Sequence, residues 1–112
     1  MHLAVLAIVG LLAASDAVAS EYTVLGVGAE SCGRWTQVRR EAQLADLSYV
    51  AWLTGYVTAY NEWASPGGNV SKHTDANGMA AWVDDYCRVH PLDTVGRAAG
   101  ALIAAMEAQE RP

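Results

Sequence analysis

The stretch LADLSYVAWLTGYVTAYNEW, residues 44–63, decides the fold class. Tyr49, Trp52, Tyr56, Tyr60 and Trp63 recur at intervals of three or four, the period of one helix face. Leu47, Val50, Leu53 and Val57 fill another face, so the segment predicts a long helix, apolar nearly all round and buried at the centre of an all-α domain. The aromatic row reads as core, with a ligand groove as the alternative. Gly55 and Ala59 lie four apart and predict close approach of a neighbouring backbone, which would offset the roughly 1 kcal/mol that a mid-helix glycine costs.

On the N-terminal side, Ser31 is placed to cap a first helix running to about Arg40. Its apolar face, built from Cys32, Trp35, Val38 and Ala42, is thin, so Cys32 in its first turn carries unusual weight. Residues 20–30 carry Tyr22, Val24, Leu25 and Val27 among glycines and predict an extended arm or a short strand. Gly26-Val27-Gly28 is not a dinucleotide fingerprint, because position 31 is Ser where that motif needs Gly. On the C-terminal side, residues 64–78 are rich in Ser, Pro, Gly and Asn and form a loop, with a glycosylation sequon by pattern at Asn69-Val70-Ser71.

Met79, Trp82, Val83 and Tyr86 give a third helix with Asp84, Asp85 and Arg88 facing solvent, and Pro91 ends it by disfavouring α geometry at His90. A fourth helix follows from Pro91, its first position, to about Ala108 on Leu92, Val95, Ala99, Leu102, Ile103 and Met106. The expected domain is therefore four helices over residues 31–110.

Residues 3–14 are a nearly unbroken apolar run, too short to span a bilayer, followed by Ala17-Val18-Ala19. This is the pattern of a signal peptide over residues 1–19, cleaved after Ala19, although no Lys or Arg precedes Arg34. Export implies an oxidising compartment, and the chain has only two cysteines. One intramolecular disulfide between Cys32 and Cys87 is then the economical reading, and the absence of CxxC argues against a redox pair. The 112 residues carry a net charge of −5 with scattered basic groups, which disfavours nucleic acid and anionic lipid as partners.

Catalytic chemistry is hard to assemble. Asp84 and Asp85 are helix neighbours about 100° apart and cannot share a proton, so they read as a solvated face. His73 with Asp75, and His90 with Asp84, each lack a third metal ligand at a recognised spacing. No catalytic residue, metal or cofactor is expected, and an enzyme is the weakest class.

Three stretches carry a family resemblance: GVGAESCGRW at residues 26–35, WLTGY at 52–56 and WVDDYCRVHPL at 82–92. Together they resemble the HdeA-like superfamily of small periplasmic helical proteins, and specifically its branch of immunity proteins against type VI secretion toxins and uncharacterised relatives. The resemblance covers most of the chain after residue 19. It implies a helical fold with a disulfide joining helices, in agreement with Cys32 and Cys87. Two functions follow as expectations: a periplasmic protein that binds and neutralises a secreted effector, or an acid-stress chaperone that binds denatured clients. An envelope component or small-molecule carrier is the third, marked by a pocket beside Tyr56 and Tyr60. The partner is another protein in the first two, and a homodimer is compatible with all three.

Overall fold

A computed structural model describes residues 21–41 and 43–111; the expected signal peptide lies outside the described residues. The described chain is all-helical, with a 3-10 turn at Gly26–Ala29 and four helices: α1 Cys32–Glu41, α2 Gln43–Trp63, α3 Ala76–Val89 and α4 Val95–Gln109. No strand forms among the described residues. The only strand-like feature there is an isolated antiparallel bridge between Ser31 and Thr94.

Helix boundaries follow local capping. Ser31 Oγ accepts from the Arg34 amide at 3.1 Å, as its place before α1 predicts. The third helix starts three residues before Met79, because Asp75 is extended and its carboxylate accepts from the Gly78 amide at 2.8 Å. The fourth starts at Val95 rather than Pro91. Thr94 caps it, and residues 91–93 are diverted to α1: the Cys32 amide donates to Asp93 O at 2.7 Å and the Gly33 amide to Pro91 O at 3.1 Å. The Val95 amide returns a bond to Glu30 O at 2.9 Å, so the lead-ins of α1 and α4 satisfy each other's orphan donors.

The centre of the domain is α4, not α2. Val95, Gly96, Ala98, Ala99, Leu102, Ile103 and Met106 are all buried, and the small residues among them let neighbours close in. Among the described side chains of α2, Tyr49, Leu53 and Val57 alone are buried, while Leu44, Leu47 and Trp63 are 84%, 66% and 80% exposed. The apolar character that predicts complete burial of α2 instead leaves one of its faces uncovered by the described residues.

Gly55 likewise has no neighbour within 4 Å of where a side chain would start; the close approach falls at Gly28 and Gly96. A Cβ on Gly28 would lie 2.0 Å from the Trp52 ring, and one on Gly96 would lie 3.0 Å from Gly28 O. The arm therefore runs between α2 and α4 without space for a methyl group.

Cys32 and Cys87 form the disulfide, with Cα atoms 4.7 Å apart and both side chains buried. Closing a loop of 55 residues stabilises the fold by about 4 kcal/mol on the chain-entropy estimate. Next to it the fully buried Trp35 donates its indole N–H to Asp84 Oδ1 at 2.7 Å. Arg39 donates to both Asp84 oxygens at 2.8 Å and to Asp46 at 3.0 Å, tying α1 to α3 and to α2. Asp84 is thus a packing residue, contrary to the solvated-face reading; Asp85 is exposed as expected. The Asp84 hydrogen bonds, opposed by partial burial, raise the pKa of the Arg39 guanidinium above its ordinary value.

Candidate functional site

Four members of the aromatic row on α2 are attachment points for other elements. Tyr49 donates its hydroxyl to Glu30 and packs on Trp35, with ring centres 6.0 Å apart. Trp52 donates Nε1 to Leu25 O at 2.9 Å, which holds the arm, and stacks on Tyr56 at 5.3 Å. Tyr56 lies against Gly100 of α4, and burial raises its phenol pKa, with a further contribution from Tyr22. Tyr60 donates to Glu107 near the end of α4. Trp63 alone projects into solvent. The row is therefore core and seam over most of its length, and only its last turn meets a cleft.

That cleft is built by the loop after α2. The Ala64 and Ser65 amides both donate to Tyr60 O at 2.8 Å and close the helix, and Gly68, at φ +72°, turns the chain in the left-handed region. Val70 then drops into the core, 5% exposed, with its amide held by Asn61 Oδ1 at 2.8 Å. Asn69 Oδ1 accepts from the Ser71 amide and hydroxyl, both at 3.1 Å, so the sequon asparagine organises the turn. Lys72 pairs with Glu110 at 2.6 Å and His73 approaches the same carboxylate at 3.7 Å, which brings the loop to the last turn of α4.

Between loop and helix lies an open cleft of about 590 Å³. Tyr60, Pro66 and Val70 contribute apolar lining, and Lys72, Glu107, Glu110 and Arg111 contribute charge. An apolar side chain flanked by charged groups is the ligand such a lining suits. Tyr60 reaches it but Tyr56 does not, so it is not the pocket expected between those two residues. Among the described residues no group of three His, Cys, Asp or Glu side chains could hold a metal ion. No helix there is long and apolar enough to cross a membrane.

Sequence reasoning misses the carboxylates that complete these contacts. Glu30, Glu107 and Asp93 take the hydroxyls of Tyr49, Tyr60 and Tyr86, and nothing in their spacing marks them. The Tyr86 bond holds the Asp93 carboxyl below the usual range, and the same bond raises the Tyr86 phenol. For Asp84 a signal did exist: it stands three residues before Cys87 and four after Ala80, on the flank of the buried face of α3. Comparison of the chain with family models, curated proteins and solved structures returns no match.

Proposed function

We propose that this chain is an exported, periplasmic, non-enzymatic domain that binds another protein, in the manner of an HdeA-like immunity protein blocking a secreted effector. The observation that carries the reading is the pinned loop: Val70 and the Lys72–Glu110 pair fix residues 64–75 beside a cleft, directly after the exposed Trp63. Recognition commonly sits on a loop held by a rigid scaffold, and exposed Trp is a frequent energetic anchor of interfaces. Export is supported by the leader-like residues 1–19 and by the buried disulfide.

The test is capture from periplasmic extract with the oxidised protein, followed by identification of the partner and titration with it. Trp63→Ala should weaken binding by about 30-fold or more if Trp63 is an anchor worth some 2 kcal/mol. Repeated recovery of no specific partner, or a partner indifferent to Trp63 and Lys72 substitutions, refutes the assignment.

The acid-stress chaperone reading also has an observation in its favour. Hydroxyls of three tyrosines hold the arm, the end of α4 and the α3–α4 turn through Glu30, Glu107 and Asp93. Acid strong enough to protonate these carboxylates removes the charge-assisted acceptors of the joints. Client aggregation measured at about pH 2 to 3, below the ordinary carboxylate range, separates the readings. A chaperone suppresses it, whereas an effector-binding domain leaves it unchanged.

A further inference from the structure

The fold gathers basic residues that are scattered in the sequence. Cys32 meets Cys87 and Trp35 meets Asp84, so α1 and α3 run antiparallel. Between them lies an open groove of about 350 Å³, lined by Thr36, Arg39, Arg40, Asp84, Asp85 and Arg88. Three arginines thus share one groove of a chain whose net charge is −5.

The charges on its walls are not equivalent. Asp84 is fully engaged, its Oδ1 accepting from Trp35 Nε1 at 2.7 Å and Arg39 Nε at 2.8 Å, and its Oδ2 from Arg39 at 2.8 Å. Arg39 turns its remaining nitrogen to Asp46 of α2, which lies off the walls. Glu41, next to Arg40 in the chain, accepts from Gln37 at 3.3 Å and also stays off the walls. Arg40 makes no ion pair among the described residues, and Arg88 has only Asp85, at 4.0 Å with both side chains largely in water. The groove therefore offers two open cations, Arg40 and Arg88, against one open carboxylate, Asp85.

We infer that this groove seats a short acidic segment of a protein partner, with one Glu or Asp carboxylate on Arg40, a second on Arg88, and the half-buried Thr36 as a further donor between them. It rests on the protein-binding reading only in that a polypeptide carries the acids. Arg40 lies in the last turn of α1, whereas Arg88 follows Cys87, level with the first turn, so the two cations stand toward opposite ends of the groove. Separated cations select separated carboxylates over one compact anion, and each guanidinium presents the paired N–H groups that a carboxylate accepts bidentately. The excess of acid elsewhere on the chain repels a long polyanion or an anionic membrane beyond the groove's ends, and a short segment escapes that repulsion. Asp85 competes with the incoming carboxylate for Arg88 and so holds the affinity down.

Amide NMR spectra of the oxidised protein, recorded at low salt and neutral pH while an end-blocked peptide of alternating Glu and Gly is added, test the site. Saturable shifts centred on Thr36, Arg40, Asp85 and Arg88 are expected, with a Kd on the order of 1 mM for a few exposed charged contacts. Arg40→Gln and Arg88→Gln should each weaken binding about fivefold with an unchanged melting temperature, and the matching Gln peptide should not bind. Asp85→Asn should tighten binding about twofold or more, because it releases Arg88. Arg97→Gln, an exposed arginine away from the groove, should leave it unchanged. Shifts that do not saturate, equal binding of the Gln peptide, parent-like binding by both groove variants, or saturation by inorganic phosphate at lower concentration than by the peptide overturns the inference. A failed titration leaves partner capture through Trp63 intact, and failed capture leaves the titration readable, so the two assignments fail separately.

Discussion

Asp84 and Asp85 are adjacent carboxylates on one helix, and the structure separates their energetic roles. Asp84→Ala removes the acceptor of the fully buried Trp35 indole N–H. Leaving a buried donor unsatisfied costs about 1–3 kcal/mol. The same substitution takes two of the bonds that hold Arg39, leaving Asp46 as its remaining partner. The Arg39 and Asp84 side chains are 27% and 37% exposed, so solvent screening limits that loss to about 1 kcal/mol. Replacing Asp by Ala inside a helix returns roughly 0.5 kcal/mol. The net expectation is a loss of about 2 kcal/mol, or a melting temperature lower by about 10 °C for a domain of this size. Asp85→Ala should stay within about 0.5 kcal/mol of the parent, because Asp85 is exposed and its contact with Arg88 is 4.0 Å long. Denaturant unfolding of the two variants side by side is the assay. Equal stabilities would refute the placement of Asp84 at the α1–α3 seam, and additive effects of Asp84→Ala and Arg39→Met would refute their direct coupling.

Reducing the Cys32–Cys87 bond should destabilise the fold by about 4 kcal/mol on the chain-entropy estimate, and a melt unchanged by reductant would contradict a structural role. Gly28→Ala should cost about 1–3 kcal/mol by overpacking against Trp52 and make residues 21–29 susceptible to protease. Retained arm protection would show that the Trp52 ring gives way at little cost. The Tyr86–Asp93 bond carries a defined pH signature. The folded Asp93 pKa is depressed, so its contribution is present above the unfolded value of about 3.9 and is lost as pH falls through the lower folded value. The folded Tyr86 pKa is raised, so its contribution is complete below about 10 and is lost as pH rises through the folded value. Tyr86→Phe should flatten both slopes in stability measured against pH, and unchanged slopes would remove this pair as their source.

The helices were legible because their signals are local. Period-3.6 patterning and the Ser31 cap place α1 and α2 to within a residue or two of their observed ends. The starts of α3 and α4 differ from the expected ones because each is set by a cap that lies outside the apolar pattern. Asp75 takes the Gly78 amide, which lets a glycine into the first turn, and Thr94 displaces Pro91 because the carbonyls of residues 91 and 93 serve α1. That second contact joins residues about 60 positions apart, and no window of sequence contains it. The cysteine pair could be read because the count left no alternative partner. The Tyr–carboxylate joints could not, since any exposed Glu or Asp would have looked the same.

Which helix forms the centre of a small domain depends on side-chain size as much as on hydrophobicity. On hydropathy, α2 reads as the more buried helix, with its aromatic rows and leucines. Its bulk, however, keeps neighbours at a distance, and the rings reach outward to the arm and to α4. The contrasting helix α4 presents Gly96, Ala98 and Ala99, so α3 and the arm can close on it directly. The small helix becomes the hub and the large one becomes the flank, with its leucine-bearing face left outward. Leu47→Glu should therefore be near silent in the stability of the domain, whereas Leu53→Ala, on the buried face of the same helix, should cost about 2–5 kcal/mol of folding. If Leu47→Glu instead destabilised the domain as Leu53→Ala does, the outer face would have to be packed within one chain, and the division of α2 into a buried and an exposed face would fail.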